Sequence, residues 1–177
     1  MRNRLISAIA IILIISFGVS ISYSAEIKTL EDFKNSIFLQ KYPPKRDMKS
    51  WPLRDGGYNN SFGFQLGTDE YSWFSIEVVT KSKNNPIIIN YGISFHDESD
   101  PPVHPTKFTM QIKTIFSTFL NSIDSSLPTK DINNYVQKQS LSKYRVITDA
   151  PKKAYGKYSF RVGTVTHELI IDIDKEN

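Results

Sequence analysis

Apolar positions along the chain fall into a few runs with clear periods. The first, Leu5 to Ser22, carries no charge and is dominated by Ile, Leu, Val and Ala. Arg2 and Arg4 precede it, and the small residues Ser22 and Ser24 close it just before Ala25. A basic flank, an apolar stretch and a small-x-small site are the three parts of a secretory signal peptide, so residues 1–24 are read as an export signal. The run approaches the roughly 20 residues that span a bilayer, which makes an uncleaved anchor the alternative. Either outcome puts residues 25–177 outside the cytoplasm, periplasmic or secreted, with the Arg pair holding the N-terminal flank inside.

Past the signal, helical and strand periods alternate. Leu30, Phe33, Ile37 and Phe38 recur at helical spacing behind Thr29, with Glu31 and Asp32 in the first turn. That helix is expected to end near Gln40, because Pro43-Pro44 cannot continue it. Residues 41–60, with three Pro, Gly56-Gly57 and Asn59-Asn60, read as a long connection containing at most a short extended piece around Trp51. Three period-two runs follow. Phe62, Phe64 and Leu66 make the first, and Phe74, Ile76 and Val78 against Trp73, Ser75 and Glu77 the second. The third sets Ile87, Ile89, Tyr91, Ile93 and Phe95 against Ile88, Asn90, Gly92 and Ser94. The short breaks Gly67-Thr68-Asp69 and Lys81 to Pro86 make these an antiparallel meander.

The longest stripe is Phe108, Ile112, Ile115, Phe116, Phe119, Leu120 and Ile123, a one-sided helix from Thr106 to about Ser122. Pro128-Thr129 opens a weaker helix with Ile132, Tyr135 and Val136. Extended pieces at Tyr144 to Thr148, Lys157 to Val162 and Thr166 to Ile173 close the chain, with Gly163-Thr164 as a hairpin turn between the last two. The order is α-βββ-αα-βββ. It predicts an α+β fold, an antiparallel sheet of about six strands with helices packed on one face, in a single domain over residues 25–177.

Composition narrows the chemistry. With no cysteine, the chain has no disulfide, no thiolate metal site and no residue to carry the lipid of a lipoprotein. The net charge of +4 includes Arg2 and Arg4, so the exported part is nearly balanced and lacks the dense basic stripe that nucleic acid needs. The basic residues Lys41, Lys45, Arg46, Lys49 and Arg54 do gather within 14 positions, where the plain reading is a solvated loop. The nucleophile patterns GxSxG and SxxK are absent, as are the phosphate and dinucleotide loops, so neither catalysis nor a cofactor is expected.

Two constellations remain. His96, Asp97, Glu98, Asp100 and His104 place two imidazoles and three carboxylates in nine residues, a donor set that suits a divalent cation but follows no defined ligand spacing. The plain reading is an acidic strand-to-helix turn. His167-Glu168 sits on the last strand, where neighbours point to opposite faces and cannot serve one substrate atom. The second constellation is aromatic. Tyr71 and Trp73 share the strand face opposite Phe74 and Ile76, and Trp51 lies upstream among Arg46 and Arg54. Aromatic side chains on an uncovered sheet face suit recognition of a protein. The expected function is therefore an exported non-enzymatic binding protein, such as an inhibitor, an immunity protein or an envelope accessory factor. Its binding residues would be Trp51, Tyr71, Trp73, Arg46 and Arg54, its partner a protein, and any membrane contact confined to an uncleaved signal. A metal-binding protein or metal-dependent enzyme using the His96–His104 cluster is the alternative.

Overall fold

The computed structural model describes residues 26–66, 72–97, 108–141, 147–165 and 168–176, with only the backbone at Asp47, Asp97 and Val165. The export signal at 1–24 lies outside them, and no described helix is long and apolar enough to cross a membrane. The fold is α+β, built on one seven-stranded antiparallel sheet in the order β1-β2-β3-β4-β7-β6-β5. The strands are β1 (Arg46–Pro52), β2 (Tyr58–Gln65), β3 (Ser72–Ser82), β4 (Asn85–Asp97), β5 (Lys153–Tyr155), β6 (Tyr158–Val165) and β7 (Glu168–Lys175). The helices are α1 (Leu30–Lys34), α2 (Ile37–Lys41), α3 (Met110–Ile123) and α4 (Thr129–Gln139). Strands β2, β3 and β4 form the expected meander, and β1 adds to it at the edge of β2. The closing hairpin then lays β7 against β4, pairing Ile93 with Ile171 and His96 with Glu168.

Local chemistry explains the boundaries. Thr29 caps α1 by accepting from the Asp32 N–H at 3.2 Å, while the Asp32 carboxylate accepts from the Thr29 N–H at 2.9 Å. Ser36 then caps a second helix by accepting from the Leu39 N–H at 3.3 Å. The single helix expected over 30–40 is therefore two short ones broken at Asn35-Ser36, which still send Phe33 and Phe38 into the core. Thr109 caps α3, whose stripe from Ile112 to Ile123 is buried against the inner face of the sheet. There the Phe119 ring meets Phe38 and Tyr91 edge-on, each at 5.5 Å. Burying rings of this size contributes about 1.5–3 kcal/mol each, and edge-on pairs add to that.

Several expectations are corrected. Within the connection read over 41–60, the short extended piece around Trp51 is a full strand, β1, and the short β5 was not expected, so the sheet of about six expected strands has seven. Ile147 and Thr148 lie in a single 3₁₀ turn and not in the extended piece expected from Tyr144; residues 142–146 are outside the described set. Gly163 and Thr164 continue β6, paired with Ile170 and Leu169, so they are not the hairpin turn. The period-two row on β4 also breaks. Val79 pairs with Asn90 but Thr80 pairs with Ile88, and this bulge buries Ile88 while leaving Ile87 exposed.

Candidate functional site

Every described helix sends its buried residues into one core on the inner face, and no described helix covers the outer face. Strand alternation decides what that outer face carries. With Phe64, Phe74, Phe95 and Leu169 turned inward, the register row Gln65–Trp73–His96–Glu168 turns outward across β2, β3, β4 and β7. On this row the Trp73 and His96 rings lie stacked, their centroids 3.7 Å apart and their planes 8° from parallel. Glu168 Oε1 stands 3.3 Å from His96 Nε2 on the far side.

Arg46 joins from the edge strand by crossing β2. It pairs with Gly63, and a Cβ built there would meet the Arg46 stem at 3.4 Å. The bare Cα leaves room for the stem to lie over the sheet, where a side chain branched at Cβ would not fit. The guanidinium reaches 5.3 Å from the centre of the Trp73 ring, a cation–π contact worth about 0.5–1 kcal/mol at an exposed site. Beside this contact, at the corner where β2 ends, a cavity of about 210 Å³ opens between Lys45, Arg46, Phe64, Gln65, Ser72 and Trp73.

A second polar group occupies the other half of the face. The Asn90 amide donates to Asp172 and Asp174, each at 2.8 Å, while Arg161 lies 3.3 Å from Asp172 and Lys152 2.9 Å from Asp174. Burial pushes the Asp172 carboxyl above its ordinary range, and the neighbouring Asp174 charge adds to the rise. Burial acts on Asp174 as well, but there the hydrogen bonds from Lys152 and Asn90 prevail and hold its carboxyl low. These acids are neutralised within the molecule and tie β4, β7 and β6 together.

Of the expected binding residues, the structure brings Arg46 and Trp73 together. Trp51, 39% exposed, shares the outer face but stands in the row of Asn59 and Val79. Six residues of β3 separate it from Trp73, roughly 20 Å at the strand rise. Arg54 is exposed beyond the end of β1 at the same distant end, and Tyr71 lies outside the described residues. Among the proposed metal ligands, His96 stacks on Trp73 and faces Glu168. The Asp97 side chain, Glu98, Asp100 and His104 are outside the described set, as is His167. Among the described residues no group of three or more His, Cys, Asp or Glu could hold a metal ion.

Sequence reasoning missed Glu168, Gly63 and Lys45 as members of the site. An isolated glycine inside a strand pattern, which marks close approach by another group, was the one available signal, and it points to Gly63. No family model matches the chain, and neither a curated protein nor a solved structure matches it significantly.

Proposed function

We propose that the protein is an exported, non-enzymatic binding protein that recognises a protein partner through the outer sheet face around Trp73. The Trp73–His96–Glu168 row, with Arg46 laid over the Trp73 ring, carries this reading. Stacked rings flanked by a cation and a carboxylate form a surface with directional polar groups at its rim, and Trp and Arg are among the residue types that dominate binding energy between proteins. An inhibitor, an immunity protein and an envelope accessory factor would each use such a face. Export itself rests on the 1–24 signal.

The test is capture from envelope extracts with the 177-residue chain, expressed with residues 1–24 in place and carrying an affinity tag. Wild type and Trp51→Ala should recover the same partner, and Trp73→Ala should lose it while keeping the wild-type melting temperature to within a few degrees. Recovery by Trp73→Ala equal to wild type would remove this face from the function.

A further inference from the structure

We propose that the corner cavity between Lys45, Arg46, Phe64, Gln65, Ser72 and Trp73 receives a carboxylate side chain, Asp or Glu, from an extended acidic segment of the protein partner. This deepens the function proposed above and rests on it. Size is the first reason. At about 210 Å³ the cavity is smaller than the roughly 300–1,000 Å³ of small-molecule sites, so it suits one side chain inserted from a larger partner.

Charge is the second. Residues 41–54 hold five basic side chains and one acidic, an excess equal to the +4 of the whole chain. In the β6–β7 half, Lys152, Lys157, Arg161 and Lys175 each face a carboxylate within 4 Å. Lys45, Arg46, Lys49 and Arg54 enter no ion pair among the described residues; Arg46 lies over an aromatic ring instead. Among the described residues, the lysine and arginine ion pairs of the sheet gather in the β6–β7 half, and these four cations at the β1 edge have none. A set of like charges held together costs self-repulsion, which an incoming anion would relieve.

Shape is the third. The walls formed by Phe64 and Trp73 suit the methylene stem of an acidic side chain, while Lys45 and Arg46 supply charged donors for its head. A broad anionic surface such as a membrane fits less well. Glu77 and Glu168 stand on the same outer face and would repel it, whereas a single side chain entering at the Lys45–Arg46 end of β1 avoids such broad contact.

The full-length exported protein carrying Trp51→Phe tests this, because Trp73 is then its only tryptophan and reports on the cavity by fluorescence. The probes are a disordered Glu/Thr peptide, its Gln/Thr counterpart, inorganic phosphate and phosphatidylglycerol vesicles. The Glu peptide should shift Trp73 emission, weaken as salt rises, and bind about tenfold or more tighter than the Gln peptide, the scale of a lost charge-assisted hydrogen bond. Lys45→Gln with Arg46→Gln should reduce the Glu peptide to the level of the Gln peptide. Lys153→Gln, on the opposite edge strand, should change nothing. Equal binding of the two peptides, binding of neither, or a stronger response to phosphate or vesicles overturns the carboxylate site. Should that happen while Trp73→Ala still abolishes partner capture, only this inference falls. Loss of the Trp73 dependence itself removes both readings.

Discussion

At the scale of single residues, the small residue Gly63 keeps open the route from Arg46 to the candidate site. Its absent side chain is the path by which Arg46 crosses from β1 to the Trp73 ring on β3. Gly63→Ala adds one carbon at ordinary contact distance and should leave Arg46 in place. Gly63→Val adds branches that fill the path, so it should displace Arg46 and abolish partner capture. Valine suits a strand, and stability should stay within about 1 kcal/mol of wild type by denaturant titration. Tyr158 poses a different problem. Its ring is fully buried, and its hydroxyl has no hydrogen-bond partner among the described residues. Burial drives its ionisation well above the ordinary range, so it stays neutral. An unsatisfied buried hydroxyl costs about 1–3 kcal/mol, and Tyr158→Phe should therefore keep or raise the melting temperature in calorimetry. A fall of several degrees would show that the hydroxyl has a buried partner such as water.

At the scale of elements, the helical region 30–41 and the edge strand β1 show how polar residues set local structure. Ser36 has the preferred chemistry of an N-cap, and inside an apolar helical period it starts a new helix instead of continuing the old one. Ser36→Ala should cost about 1 kcal/mol of unfolding free energy, and Ser36→Asp much less, because Asp also caps. Strand β1 was legible only as a short extended piece around Trp51, for a related reason. An edge strand has one neighbour, and its inner side here is polar: Ser50 Oγ donates to the Asn60 side chain at 3.0 Å, and the Asn60 amide donates to the Val78 carbonyl at 3.1 Å. No apolar alternation results, and Pro52 is tolerated where the ladder ends. Meander, long helix and closing hairpin were all legible, because each must cover one apolar side.

At the scale of the whole molecule, ion pairs bring distant parts of the chain together. Lys157 Nζ stands 2.6 Å from Glu26 and 3.0 Å from Asp124, and Lys175 stands 2.7 Å from Glu26. The start of the described chain is thereby tied to the end of α3 and to the last two strands. Burial opposes the charge on Glu26 and Asp124, but hydrogen bonds outweigh it: Lys157 and Lys175 hold Glu26 below its ordinary 4.5, and Ser126 and Lys157 hold Asp124 below 3.8. A carboxyl lowered on folding stabilises above its ordinary value, and that contribution is lost as pH falls through the folded value. Lys157, raised above 10.5 by the same pairs despite burial, contributes fully at neutral pH and loses its share only as pH rises past its folded value. Asp172 works the other way, since its raised value makes acidification favourable. Glu26, Asp124 and Asp174 outnumber it, so the melting temperature should fall on going from pH 6 to pH 3. Glu26→Gln should flatten that fall and lower the melting temperature at pH 7.

The apolar periods by themselves determined the α+β class, the inward sides of β2, β3 and the later part of β4, the long helix and the candidate export signal, because burial of apolar surface is readable from spacing along one segment. They also placed Trp73 on the outer face. Which side chains meet Trp73 there was decided only by tertiary structure. Arg46 and His96 are 50 residues apart and Glu168 is a further 72 away, and their meeting depends on strand order and register. Pairing of β7 with β4 is a long-range choice set by how the hairpin docks on the core, and nothing local to Glu168 encodes the imidazole it faces. Lys45 and Arg46, two members of a basic cluster that reads as a solvated loop in sequence, become, once β1 joins the sheet, one wall of a cavity beside an aromatic stack.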